Sequence, residues 1–171
     1  MEINKIPAKS LSYSSIKRDK KNVRFIVIHY TAGEGDTAEN CGKYFADGNT
    51  RQAGAHFFVG QDGSIVKSID MNRTAWAVGG KKYTDYKKTG GATYYGKCTN
   101  ANSVSIELCD NLKKDPSKKQ ISAVKELIEY IRKYCPNANT VIRHFDVTGK
   151  YCPARMMDAK KWKKFKKEIG E

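Results

Sequence analysis

Val23-Arg24-Phe25-Ile26-Val27-Ile28-His29-Tyr30 is a near-continuous apolar run with a histidine close to its far end. Such a run reads as a strand buried on both faces, the pattern of a sheet covered by helices. A second short run, Val141-Ile142-Arg143, leads into His144, and Cys152 follows in Thr148-Gly149-Lys150-Tyr151-Cys152-Pro153. Sites in open α/β sheets gather where strands end, so both histidines are expected at the ends of central strands. The chain has only three histidines, and this set takes two of them.

Outward from these runs, helices and strands alternate. Asp36 reads as a helix N-cap with Glu39 three residues on, and Ala38, Cys41 and Phe45 mark one helical face. Residues 55–59 and 64–68 read as a hairpin about the turn Gln61-Asp62-Gly63. In the run 103–108, Val104, Ile106 and Leu108 face one way, and Ser103, Ser105 and Glu107 the other. Asp115-Pro116-Ser117 opens a helix with Pro at its first position, and Ile121, Val124, Leu127, Ile128 and Ile131 form its apolar stripe. Residues 140–143 form the last strand. Asp158 caps a final helix anchored by Trp162, Phe165 and Ile169. The whole predicts a single α/β domain over 1–171, with a central mixed β-sheet flanked by helices. Residues 1–22 are expected to form an extended N-terminal arm and 23–165 the motif-bearing core. Residues 79–102, rich in Gly, Tyr and Lys, are expected to be a long irregular segment, either functional or a tolerated insertion.

Composition narrows the function classes. A chain of 171 residues can bury a core of its own. No stretch approaches the ~20 apolar residues of a membrane span, and the first fifteen residues show no signal-peptide pattern. The five cysteines are scattered, without a CxxC pair, which argues against a disulfide framework. Cys41, Cys109 and Cys135 read as small buried hydrophobes, while Cys98 has no assignment. A net charge of +14 favours an anionic partner. The densest basic run, residues 160–167, reads first as a solvated helix face.

Two imidazoles and a thiolate suit Zn2+, and three protein ligands leave a fourth position for water, the layout of a catalytic site. The alternative for a lone strand-end histidine is a hydrogen-bonded structural role. Glu107 interrupts an apolar strand. A carboxylate there is costly unless paired or used, so it is either a rim residue or an acid/base group beside the metal. Lys150, two residues before Cys152, could steady an oxyanion. Trp76 could stack on substrate or pack in the core.

Four stretches together resemble the zinc-dependent N-acetylmuramoyl-L-alanine amidases of the peptidoglycan-recognition fold, which include endolysins and autolysins. They are Phe25-Ile26-Val27-Ile28-His29-Tyr30-Thr31, Ala55-His56-Phe57, Asn102-Ser103-Val104-Ser105-Ile106-Glu107-Leu108, and the run from Arg143 to Pro153. The resemblance implies one Zn2+ on His29, His144 and Cys152, Glu107 as acid/base and Lys150 as the oxyanion-positioning residue. It implies hydrolysis of the amide between N-acetylmuramic acid and L-alanine, with peptidoglycan as partner and anionic wall polymers as a further partner by charge. It also implies an endolysin-like route, with synthesis in the host cytoplasm and action on the wall after release. Tyr30, Trp76 and His56 are candidate substrate contacts, His56 being first a structural residue. Two positions depart from relatives: Ala55 stands where some carry a catalytic Tyr, and Ala77 where many carry a His. A recognition module that binds without cutting is disfavoured, because such relatives typically lose the Cys ligand. A nucleic-acid-binding role is disfavoured by the absence of a binding motif.

Overall fold

The computed structural model describes residues 1–171. Eight strands are present: β1 (Asn4–Lys5), β2 (Tyr13–Lys17), β3 (Phe25–Tyr30), β4 (Phe57–Val59), β5 (Ile65–Lys67), β6 (Arg73–Ala75), β7 (Ser103–Leu108) and β8 (Thr140–Arg143). Five helices accompany them: α1 (Ala38–Lys43), α2 (Tyr86–Thr89), α3 (Lys118–Tyr134), α4 (His144–Thr148) and α5 (Ala159–Glu168). Six strands form the central sheet in the order β1-β5-β4-β7-β3-β8; β4 and β5 run antiparallel and every other pair is parallel. This is the expected mixed sheet flanked by helices.

Side-chain alternation divides the sheet into two unlike faces. On one, Ile26, Ile28, Val104, Ile106 and Leu108 pack against Val124, Leu127, Ile128 and Ile131 of α3, with Phe165 and Ile169 behind them. Ser117 caps α3 by accepting a hydrogen bond from the Gln120 amide, so Pro116 lies just outside the helix rather than at its first position. Asp158 caps α5 as expected. The other face is covered in two separate pieces. Near β4 and β5, Ala38 and Cys41 of α1 cover Phe58, Val66 and Cys109. Near β3 and β8, Val78, Cys98 and Val147 cover Val27 and Ile142. Cys98 is therefore a core residue of this second patch. Between the two pieces the C-terminal ends of β3 and β7 stay uncovered, and a groove remains.

Several details differ from expectation. Thr37, not Asp36, caps α1, its hydroxyl accepting from the Asn40 amide at 3.1 Å; Asp36 is left to line the groove. β8 is an edge strand rather than a central one, because it pairs with β3 alone. Residues 1–22, expected as an extended arm, are pinned to the domain. β1 extends the main sheet beside β5, and β2 pairs with β6 in a two-stranded ribbon. The Arg18 guanidinium then ties this segment to the carbonyls of Met71, Asn100 and Ala101. These pairings join short polar segments far apart in sequence, which carry no periodic signal.

His56 shows how burial fixes a tautomer. Its Nδ1 accepts from the Ser105 amide at 3.1 Å, so the ring proton sits on Nε2 and is donated to the Arg73 carbonyl at 3.1 Å. Burial, with the Arg18 guanidinium beside the ring, pushes the imidazole down to about 3 from its ordinary 6.5. An unfolded chain takes up a proton at this residue below 6.5 while the folded chain does not. The contribution is thus complete above 6.5 and is lost as pH falls toward 3. His56→Gln is expected to cost about 1–3 kcal/mol at neutral pH through weakened buried hydrogen bonds. The variant's stability should also fall less steeply than the wild type's between pH 6.5 and 4, read by chemical denaturation at each pH; parallel curves would refute the assignment.

Candidate metal centre and groove

Parallel pairing of β3 with β7 sets His29 beside Glu107 in register, and both side chains point from the same face into the groove. The Glu107 carboxylate lies 4.0 Å from His29 Nδ1. His144 comes from the turn where β8 ends and α4 begins. Arg143, the last residue of β8, secures that turn: its backbone amide and guanidinium both donate to Asp146, and Nη1 donates to the Met156 carbonyl at 2.8 Å. Gly149 ends α4 with φ +82, where a side chain would be strained and would meet Tyr86. The chain then doubles back, and the Phe145 amide donates to the Cys152 carbonyl at 2.9 Å. One backbone hydrogen bond thus couples the segments carrying His144 and Cys152.

The result is convergence. One donor atom from each of His29, His144 and Cys152 lies within 4.8 Å of the others, and all three residues are buried. The two imidazoles meet edge to face at 4.7 Å, and Cys152 Sγ lies 3.8 Å from His29 Nδ1. His29 Nε2, His144 Nδ1 and Glu107 Oε2 are buried without any hydrogen-bond partner. Buried polar atoms left unpartnered are costly and call for an explanation. A soft divalent cation fits this set, since two neutral imidazoles and one thiolate are its ordinary donors.

The protonation states agree in part and conflict in part with that use. Burial pushes the His144 imidazole down to about 3 and His29 well below its usual range, which favours the neutral rings that can coordinate a cation. Burial, together with the Glu107 carboxylate, pushes the Cys152 thiol up to about 12; the Tyr30 backbone and Lys150 oppose this. A divalent charge reverses that logic for a coordinating thiol. Burial also raises the Glu107 carboxyl to about 7 against the opposing pull of Lys150.

These residues floor a groove of about 670 Å3. Tyr30, Trp76 and Lys150 line it, as their candidate roles require. His56 does not: it is fully buried beneath the sheet end, held by Ser105 and Arg73, and cannot touch a ligand there. Sequence reading missed Asp36, Asn40, Arg51 and Gln52, which form the wall on the α1 side. Asn40 lies in the first turn of α1 and the other three in irregular segments flanking it, where no periodic pattern marks them.

Residues 19–155 match the family described as N-acetylmuramoyl-L-alanine amidase (Amidase_2). The chain is 26% identical over 150 residues to the N-acetylmuramoyl-L-alanine amidase XlyB of Bacillus subtilis, covering 86% of this chain and 42% of that protein. With BlyA of the same organism, also an N-acetylmuramoyl-L-alanine amidase, identity is 30% over 159 residues, covering 87% and 41%. The chain therefore spans about two fifths of the length of these relatives. Among solved structures, PlyL superposes with a TM-score of 0.76 at 22% identity, covering 100% of this chain and 98% of that one. Removing a single donor tests the convergence directly. Cys152→Ser is expected to weaken zinc retention about tenfold or more relative to wild type, read by competition with a chromophoric chelator. Far-ultraviolet circular dichroism should stay unchanged, and equal zinc affinity in the variant would remove Cys152 from the set.

Proposed function

The chain belongs to the N-acetylmuramoyl-L-alanine amidase family, and from that premise we propose that it is a zinc-dependent peptidoglycan amidase. The bond it cuts joins the lactyl group of N-acetylmuramic acid to the L-alanine of the stem peptide. The observation that carries this reading is the convergence of His29, His144 and Cys152 beside the buried carboxyl of Glu107. Residues 1–171 are proposed to act as one catalytic unit.

When bound by these three residues, Zn2+ supplies Lewis acidity that polarises an amide carbonyl and acidifies water. The chain's own residues account for the remaining steps. Glu107, raised to about 7 by burial, suits a group that must take a proton and return it near neutral pH. It removes a proton from the attacking water and passes it to the alanine nitrogen as the carbon–nitrogen bond breaks. Lys150, exposed at the groove edge, presents a fixed positive charge where oxyanion charge develops. Tyr30 and Trp76 offer the groove walls a ring each for substrate contact. A polyanionic wall is also a fitting partner for a chain of net charge +14.

Mass spectrometry of purified Gram-positive peptidoglycan after digestion tests the reading. Released stem peptides with a free N-terminal alanine, over uncut glycan strands, are expected from the untreated protein and not after chelation. Unaltered peptidoglycan would overturn the assignment. Glu107→Ala is expected to retain zinc and lose about 10²–10⁴-fold in turnover, and full turnover in that variant would move the proton-transfer role elsewhere. Lys150→Ala should retain zinc and lower kcat by about tenfold or more.

A further inference from the structure

The groove does not stop at the metal-ligand set. Beyond His144 and Lys150 a second hollow of about 560 Å3 opens, walled by the stretch 79–84. Lys81, Lys82 and Lys150 border it and no carboxylate does. Lys81 and Lys82 enter no ion pair. The Lys82 ammonium is held 4.7 and 4.9 Å from the ring centres of Tyr86 and Tyr95, contacts that position a cation without neutralising it. The backbone amides of residues 79–82 donate to no protein group. Gly80 has φ +117 and nothing within 4 Å of where a Cβ would stand, so the backbone itself is open to a ligand there. Ammonium groups and free amides together are what an anion requires.

This wall is fastened to the element that carries the metal ligands. The Tyr83 amide donates to the Thr148 carbonyl at 2.8 Å, and the Ala92 and Tyr94 amides donate to Phe145 and Asp146. The Tyr151 hydroxyl donates to Asp85 at 2.7 Å. The hollow therefore keeps a fixed place relative to His144 and Cys152. The other hollow differs, since the carboxylates Asp36 and Glu107 line it as well as Arg51.

We propose that this hollow is a subsite for an anionic group of the wall substrate, received by Lys81 and Lys82 beside the hydrolysed amide. The proposal rests on the amidase reading. Two wall chemistries present such a group: the carboxylates of the stem peptide and the phosphodiesters of polymers attached to glycan strands.

The test is steady-state kinetics of a Lys81→Ala/Lys82→Ala variant on three substrates: intact walls, walls stripped of phosphodiester polymer, and a muropeptide with amidated carboxylates. On intact walls at low salt KM is expected to rise about five- to tenfold, with the loss falling on KM rather than kcat. Wild-type KM should climb with salt more steeply than the variant's. Lys81→Arg/Lys82→Arg should restore KM, and Lys81→Glu/Lys82→Glu should raise it further. A loss that vanishes on stripped walls identifies the phosphodiester. One that persists there and vanishes on the amidated muropeptide identifies the carboxylate. Unchanged KM and salt slope on intact walls would overturn the subsite, as would a loss persisting on all three substrates. Absence of cleavage by the wild type would instead remove the amidase reading, and this subsite with it.

Discussion

His29 and Glu107 stand side by side because β3 and β7 pair in parallel with Phe25 opposite Ser103. Side chains alternate along each strand, so a slip of either strand by one residue would send its group to the opposite face and part the pair. That face is sealed by the aliphatic stripe of α3, where neither an imidazole nor a carboxyl could be satisfied. Register is therefore fixed by the apolar residues, by Ile26 and Ile28 against Val104, Ile106 and Leu108. The polar pair takes the position this leaves. The packing of one face thus determines the chemistry of the other, and a core substitution in β3 or β7 would act on the site without touching it.

The cost of the site is visible in its unpartnered atoms. Polar atoms of His29, His144 and Glu107 are buried there with no hydrogen bond. Burial favours the neutral form of each residue, holding the imidazoles down and the thiol and carboxyl up. For the two imidazoles the neutral form is already the coordinating one. For the thiol it is not, and under the proposed zinc reading the cation supplies the missing stabilisation. Metal binding and deprotonation of Cys152 are in this respect a single event.

Much of this was legible from the chain, because its signals were local. Residues 103–108 and 140–143 are strands at the bounds their alternation and apolar content indicated. The donors His29, His144 and Cys152 stood out because each ends or follows an apolar run. What escaped was decided by partners distant in sequence. β2 finds β6 across some sixty residues, and Arg18 reaches Ala101 across 83. Thr37 displaced Asp36 as the cap of α1, a choice between adjacent side chains that propensity ranks closely. His56, read first as structural and second as a substrate contact, has the structural role alone, held by Ser105 and Arg73. The arrangement of the segment 79–102 was invisible, because its contacts run to the backbone of α4 rather than to any patterned face.

Lys150 joins the surface charge to the buried centre. It stands exposed at the meeting point of both hollows, and its positive charge acts on all four groups below. It opposes protonation of His29 and His144 and favours the charged forms of Glu107 and Cys152. Each of these effects moves its residue toward the form that coordinates a cation or accepts a proton. An anion arriving beside Lys150 would weaken that field, and a cation arriving among the donors would replace it. A surface rich in lysine therefore serves two ends at once. Under the proposed function it draws polyanion through a field extending about 10 Å at 0.1 M salt, and at its inner edge it favours the coordinating form of each donor.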